Sequence, residues 1–66
     1  MIALVGKKEL DGNIILEYEA LSTDDLDSIL PKHKSQNIGS TVFCVDTGDV
    51  YKLNVDNARN PKWYKL

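Results

Sequence analysis

The first twenty residues have the pattern of hydrophobic and polar positions that is typical of a β-hairpin. An apolar run at residues 2–5 is followed by Asp11-Gly12-Asn13, residue types that tolerate a positive φ in a tight turn. The apolar side chains after this turn fall on one face of a strand: Ile14, Leu16, Tyr18 and Ala20. The pattern predicts strands at about residues 2–5 and 14–20, with Glu17 and Glu19 turned towards water.

The next segment has the pattern of a short helix. Ser22 is a suitable N-cap, and acidic residues follow where a first turn favours them. Leu26, Ile29 and Leu30 have helical spacing, and Pro31 is expected to end the helix. The sequence therefore predicts a helix at about residues 23–30, packed on the sheet, followed by a polar, mobile loop at residues 32–39.

A second hairpin is predicted from two β-rich runs, at about residues 41–46 and 50–55, with Gly48 in the turn between them. Two registers remain open at this point. A three-residue loop would pair Phe43 with Tyr51, and a two-residue loop would pair Cys44 with Tyr51. The aromatic C-terminal run at residues 63–66 is predicted to form a further strand of this meander.

Both faces of the second hairpin carry apolar side chains. Val42 and Cys44 lie on one face of its first strand, and Phe43 and Val45 lie on the other. The predicted fold is a single small α+β domain of residues 1–66, mostly β, with two hairpins and one short helix. Because so short a chain has little else with which to cover two apolar faces, we expect another protein surface to cover one of them.

The cysteine and histidine content excludes two common ways of stabilising a small domain. The 66 residues include only Cys44 and His33 of these types, so neither an internal disulfide nor a structural zinc site is expected. No cofactor is predicted, because the four glycines are too scattered to form a phosphate-binding loop. Association with another chain remains as the expected source of additional stability.

The charge of the chain argues against nucleic-acid and membrane partners. Eight basic and ten acidic side chains are mixed along the sequence and give a formal charge of −2. No apolar run approaches the roughly 18 residues that cross a bilayer. The best signal for single-stranded nucleic acid is the run Lys62-Trp63-Tyr64-Lys65, but lysines at such positions ordinarily protect a strand edge from aggregation.

Residues with catalytic potential have simpler structural explanations. His33 lies between two lysines in a polar loop, which predicts a solvated side chain, and Cys44 lies in an apolar strand, which predicts an inert buried thiol. Two glutamates occupy a solvent face. The remaining clustered carboxylates are placed to cap the helix or flank a turn: Asp24, Asp25, Asp27, Asp46 and Asp49. The sequence therefore predicts that the chain is not an enzyme.

The C-terminal half resembles a pattern in small structural proteins of tailed bacteriophages. The residues that carry the resemblance are Gly39-Ser40-Thr41, Asp46-Thr47-Gly48-Asp49-Val50-Tyr51 and Lys62-Trp63-Tyr64-Lys65-Leu66. It covers about the last thirty residues. The resemblance implies a virion component associated with head or tail assembly, made in the host cytoplasm, with no catalytic residues.

The sequence thus predicts a non-catalytic decoration, structural or adaptor protein of a phage particle, whose partners are phage structural proteins or further copies of itself. The residues predicted to make these contacts are Phe43, Val45, Tyr51, Trp63 and Tyr64. One alternative is a small acidic inhibitor or regulator that binds a host protein through Glu17, Glu19 and the aspartates. A second alternative is a binder of single-stranded nucleic acid that uses the C-terminal strand.

Overall fold

Five strands form one mixed sheet in the computed structural model, which describes the backbone of residues 1–66 and every side chain but that of Lys32. The strand order is the order of the sequence. The strands are β1 (Ala3–Leu10), β2 (Asn13–Ala20), β3 (Thr41–Cys44), β4 (Val50–Val55) and β5 (Pro61–Lys65). The predicted mostly β character is confirmed.

The first hairpin has the predicted turn but a longer first strand. Asp11 and Gly12 both have positive φ, 47° and 86°, in a two-residue connection, and Leu10 pairs with Asn13. The prediction that β1 covers only residues 2–5 is wrong. Residues after Gly6 are polar and exposed, so hydrophobicity does not reveal them, and their backbone pairing with β2 makes them a strand.

The two hairpins are joined by parallel pairing of β2 with β3. Tyr18 pairs with Val42 and Ala20 with Cys44, and this pairing makes β3 the central strand of the sheet. Two parallel strands need a crossover between them, and residues 21–40 supply it. The sequence analysis did not predict this pairing.

The predicted α-helix at residues 23–30 is wrong in type and in bounds. Two short 3₁₀ helices occupy the crossover, Leu26–Lys32 and Ser35–Asn37, and the first is capped by Asp25, whose side chain accepts a hydrogen bond from the Asp27 N–H at 3.1 Å. Pro31 lies inside the first helix instead of ending it. A proline lacks the N–H that an α-helix needs at this position, and the segment is too short to form a stable α-helix by itself.

The second hairpin adopts neither of the two expected registers. Phe43 pairs with Val50 and Val42 pairs with Tyr51, so β3 ends at Cys44 rather than near residue 46. The Gly48 N–H donates to the Cys44 carbonyl oxygen at 2.8 Å, and Gly48 has the predicted positive φ, 79°. The turn is longer than expected because Val45 N–H bonds to Ala20 of β2 and Asp46 bonds to Ser22.

The last strand, β5, lies beside β4 as predicted, although it begins at Pro61 and not at residue 63. Leu53 pairs with Trp63, which brings both side chains to the same face of the sheet. These two residues join Ala20 and Val42 in the buried core. Half-buried side chains from the strands and the crossover pack around this core: Ile2, Tyr18, Leu26, Ile29, Leu30, Ile38 and Tyr51.

Candidate protein-binding face

The sheet face opposite the core is called the outer face here. Strand alternation places Phe43 of β3 and Tyr64 of β5 on it, because their neighbours Val42 and Trp63 point into the core. The exposed fractions of Phe43, Val45 and Tyr64 are 41%, 51% and 38%. These are three of the five residues predicted for contacts, and they lie where another protein surface can reach them.

The other two predicted contact residues lie on the core side. Trp63 is only 8% exposed, and its indole Nε1–H donates to the Leu26 carbonyl oxygen at 3.0 Å. Tyr51 is half-buried against the core. Trp63 therefore cannot act as a surface anchor, and the alternative that requires it to stack on nucleic-acid bases loses its main residue.

Charged side chains surround the apolar residues of the outer face. Glu17 and Glu19 of β2 lie on one side of β3, and Lys52 of β4 and Lys62 of β5 lie on the other. The Lys62 ammonium group lies 5.4 Å from the centre of the Tyr64 ring, a cation–π distance. An apolar centre with a charged margin is the usual composition of a protein interface.

A shallow groove marks the β4–β5 side of this face. It is lined by Lys52, Asn54, Val55, Tyr64 and Leu66. The Tyr64 hydroxyl donates to the Val55 carbonyl oxygen at 3.3 Å, which holds the ring against the sheet. The groove therefore presents the Tyr64 ring beside the Lys52 side chain.

The chain was compared with protein-family models, curated proteins and solved structures. No match was found in any of the three.

His33 lies in the core and not, as the sequence suggested, in solvent. It is 7% exposed, and its ring packs edge-on against Tyr18 and Trp63, with ring centres 5.7 and 5.5 Å away. Its Nδ1 lies 2.7 Å from the Ile29 carbonyl oxygen, which can only accept, so Nδ1 carries a proton. Nε2 lies 3.1 Å from the Tyr18 hydroxyl, so one ring nitrogen contacts the crossover and the other contacts the sheet.

The predicted mobile loop is also an ordered part of the structure. Asn37 is buried, and its side-chain amide donates to the Ile14 carbonyl oxygen at 2.8 Å. Ser40 is fully buried, and its hydroxyl donates to Asn37 and accepts from the Leu16 N–H. The polar residues at 33, 37 and 40 have the composition of a loop, but their side chains form hydrogen bonds with backbone groups of β2 or of the crossover.

Cys44 has the properties of a structural thiol. It is 2% exposed, and burial, together with the negative charges of Asp46 and Asp49, raises the pKa of its thiol. A raised pKa reduces the thiolate fraction, which is the reactive form. The predicted burial of this residue is confirmed.

The aspartates near the crossover hold loops together. Asp46 accepts two hydrogen bonds from Ser22, from its N–H at 2.9 Å and from its hydroxyl at 2.6 Å, and these bonds lower the pKa of Asp46. The pKa of Asp24 is lowered by hydrogen bonds from the Met1 amino group and from the Leu21 N–H. Ser22 therefore anchors the second turn instead of capping a helix.

Within the part of the chain whose side chains are described, no three histidine, cysteine, aspartate or glutamate residues are grouped as metal ligands would be. No helix in the described residues has the length and hydropathy that crossing a bilayer requires.

Proposed function

We propose that this chain is a non-catalytic structural module that binds neighbouring protein subunits through its outer face. The observation that carries the proposal is the exposure of Phe43 and Tyr64 on one face of the sheet, with Val45 exposed just beyond the end of β3, while the core lies on the other face. Aromatic residues of this kind supply much of the binding energy at protein interfaces. A sheet with one apolar face uncovered also gains stability when a partner covers it.

The particle in which the module acts is proposed from the sequence. Residues 38–66 resemble small virion proteins of tailed phages, and these residues include β3, β4 and β5, which carry most of the outer face. We therefore propose a decoration, structural or adaptor role in a phage particle. The role requires no chemistry, only a surface that neighbouring subunits recognise.

The alternative role as an acidic inhibitor has less support. Glu17 and Glu19 lie on the outer face, whereas Asp24 and Asp46 are engaged with Met1 and Ser22 in the loops. The acidic groups thus do not form one continuous free surface. A binding mode that uses the apolar centre of the outer face accounts for more of the exposed residues.

The proposal can be tested with phage particles produced from the genome that encodes the chain. The particles are purified on a density gradient, and copies of the chain per particle are counted by quantitative mass spectrometry. We expect the wild-type chain in the particles at a fixed copy number, and a loss of at least ten-fold for Phe43→Glu, which places a charge in the centre of the outer face.

A matched control makes the same chemical change on the other side of the sheet. Leu4 is 56% exposed and pairs with Tyr18, whose side chain packs on the core, so Leu4→Glu leaves the outer face intact. We expect this variant to enter particles like the wild type, with circular dichroism confirming that both variants fold. Absence of the wild-type chain from particles, or equal incorporation of Phe43→Glu, would contradict the proposal.

A further inference from the structure

The groove on the β4–β5 side of the outer face has hydrogen-bond donors around it. Lys52 pairs with Tyr64 and Asn54 pairs with Lys62 across the two strands, so these four side chains share the outer face. The Asn54 Oδ1 accepts a hydrogen bond from the Val55 N–H at 2.8 Å. An amide whose oxygen is already engaged offers a partner mainly its N–H donors. The groove therefore combines an amide donor with two ammonium groups.

The two lysines of this groove are not neutralised within the chain. Among the described side chains, neither Lys52 nor Lys62 forms an ion pair. The only acidic side chain in residues 50–66 is Asp56, and its carboxylate accepts hydrogen bonds from two backbone N–H groups of the turn between β4 and β5. An anion that enters from outside would supply the missing counter-charge.

The groove has the size of a site for one side chain. Its volume is about 220 Å³, which is below the roughly 300–1,000 Å³ of pockets for small molecules. The Tyr64 ring lines it, and the Lys62 ammonium group lies 5.4 Å from the centre of this ring. A carboxylate can meet the donors while its methylene groups pack on the ring. This combination fits the side chain of a glutamate or an aspartate.

The groove adjoins the apolar centre of the outer face. Phe43 pairs with Val50, and the Leu66 N–H donates to the Val50 carbonyl oxygen, so these three residues follow one another across the sheet. Neighbouring strands lie about 5 Å apart, which places Leu66 of the groove about 10 Å from Phe43. A protein surface that covers Phe43 therefore reaches the groove with a side chain about 10 Å from its own apolar contact.

A strand of nucleic acid fits this face less well than a protein does. Glu17 and Glu19 lie on the outer face on the other side of β3, and Glu19 forms no ion pair with any described side chain. A nucleic acid has a negative charge at every phosphate, so crossing the face would bring phosphates towards these carboxylates. A protein can place one carboxylate in the groove and uncharged or basic groups over the glutamates.

We propose that the groove receives a carboxylate side chain of the neighbouring protein subunit, which Lys52, Lys62 and the Asn54 amide bind. This inference rests on the proposed function, because it takes the partner of the outer face to be a protein and names the chemistry of that partner beside Phe43. Charge complementarity of this kind selects one partner among the many that could cover an apolar surface.

Titration with a peptide tests the chemistry of the groove. The full chain, labelled with nitrogen-15, is titrated up to about 20 mM with a short peptide that contains two glutamates, and with the same peptide containing glutamines. We expect the glutamate peptide to bind at least ten-fold more tightly and to shift the Asn54 side-chain amide signals, because hydrogen bonds to a carboxylate are charge-assisted. A glutamate peptide that binds no more tightly than the glutamine peptide overturns the proposal.

Asn54→Asp is the decisive variant. It keeps an oxygen for the Val55 N–H but replaces the amide donor with an acceptor that carries negative charge. We expect this variant to bind the glutamate peptide at least ten-fold more weakly than the wild type, and Lys52→Gln at least three-fold more weakly. Spectra without peptide establish that each variant is folded. Wild-type affinity in Asn54→Asp would overturn the proposal.

Lys34→Gln is the matched control, since it removes the same charge from the crossover, which packs on the core side of the sheet. Lys34 is exposed and lies outside the groove. We expect this variant to bind the glutamate peptide within about two-fold of the wild type. A loss as large as that of Lys52→Gln would show that only the net charge of the chain matters, and would overturn the groove as the site.

A thymidine trinucleotide tests the rival ligand, because its two phosphates match the charge of the two glutamates. We expect it to bind more weakly than the glutamate peptide, since Glu17 and Glu19 disfavour phosphates on this face. Tighter binding of the trinucleotide, lost in Asn54→Asp, would assign the groove to phosphate and overturn the carboxylate.

The outcomes separate this inference from the proposed function. If Phe43→Glu is lost from particles but the wild type does not prefer the glutamate peptide, the proposed function stands and the assignment of the groove is wrong. A groove that binds the glutamate peptide, in a chain that never enters particles, would support the carboxylate site and contradict the virion role.

Discussion

Nε2 of His33 lies 3.1 Å from the hydroxyl oxygen of Tyr18, so the crossover and the sheet are joined by a partly buried polar contact. Because the Ile29 carbonyl oxygen can only accept, Nδ1 donates to it, and Nε2 accepts the hydrogen bond from the Tyr18 hydroxyl whenever the ring carries a single proton. The two rings also pack edge-on with Trp63. This cluster connects the 3₁₀ segment to β2 and β5.

His33→Ala is expected to lower the free energy of unfolding by about 1–3 kcal/mol, because it leaves the Tyr18 hydroxyl and the Ile29 carbonyl oxygen without their partner. The measurement is urea unfolding followed by tryptophan fluorescence. Lys34→Ala changes an exposed neighbour and should cost less than about 0.5 kcal/mol. Equal stability of the two variants would mean that the His33 contacts contribute nothing.

Leu53→Ala should remove most of the stability of the folded chain. Leu53 is 0% exposed, and truncating such a side chain costs about 2–5 kcal/mol, which approaches the whole stability of a domain of this size. Leu4→Ala makes the same change at a residue that is 56% exposed. Circular dichroism should show a largely unfolded Leu53 variant beside a folded Leu4 variant, and a fully folded Leu53→Ala would contradict the assignment of the core.

Acid should weaken the link between Ser22 and Asp46. Because hydrogen bonds from Ser22 lower the pKa of Asp46 in the folded state, the carboxylate stabilises the fold at neutral pH, and this contribution is lost as the pH falls below about 4. Asp46→Asn should therefore lower the melting temperature at pH 7, and its difference from the wild type should shrink in acid.

The control for this experiment is Glu9→Gln, which removes an exposed carboxylate that pairs only with Lys7. Its melting temperature should stay close to that of the wild type at neutral pH, because exposed ion pairs contribute little. If Asp46→Asn differed from the wild type by the same amount at every pH, the Ser22 hydrogen bonds would not be the cause.

Cys44 should resist thiol reagents while the chain is folded. Burial and the raised pKa of its thiol both limit attack, so we expect reaction with an aromatic disulfide to be slower by on the order of 100-fold or more than in urea. The absorbance of the released thiolate gives the rate. A rate in buffer equal to the rate in urea would show that β3 opens freely.

Local patterns predicted those features that depend on near neighbours in sequence. The alternation from Ile14 to Ala20 predicts β2, and Asp11-Gly12 and Gly48 predict the two turns, because φ preferences and side-chain alternation act within a few residues. The exposure of Phe43 on the face opposite Val42 follows from the same alternation. The sequence alone therefore predicts the apolar centre of the outer face.

Contacts between residues that are far apart in sequence determine the rest of the fold. The parallel pairing of β2 with β3, the burial of His33 and the inward position of Trp63 each join segments more than ten residues apart. Local sequence patterns do not show which of these contacts form. A histidine between lysines, or an aromatic residue near the end of a strand, can be either buried or exposed. Only the folded sheet determines which side has the core, because Leu26, Ile29 and Leu30 of the crossover cover one face and leave the other exposed.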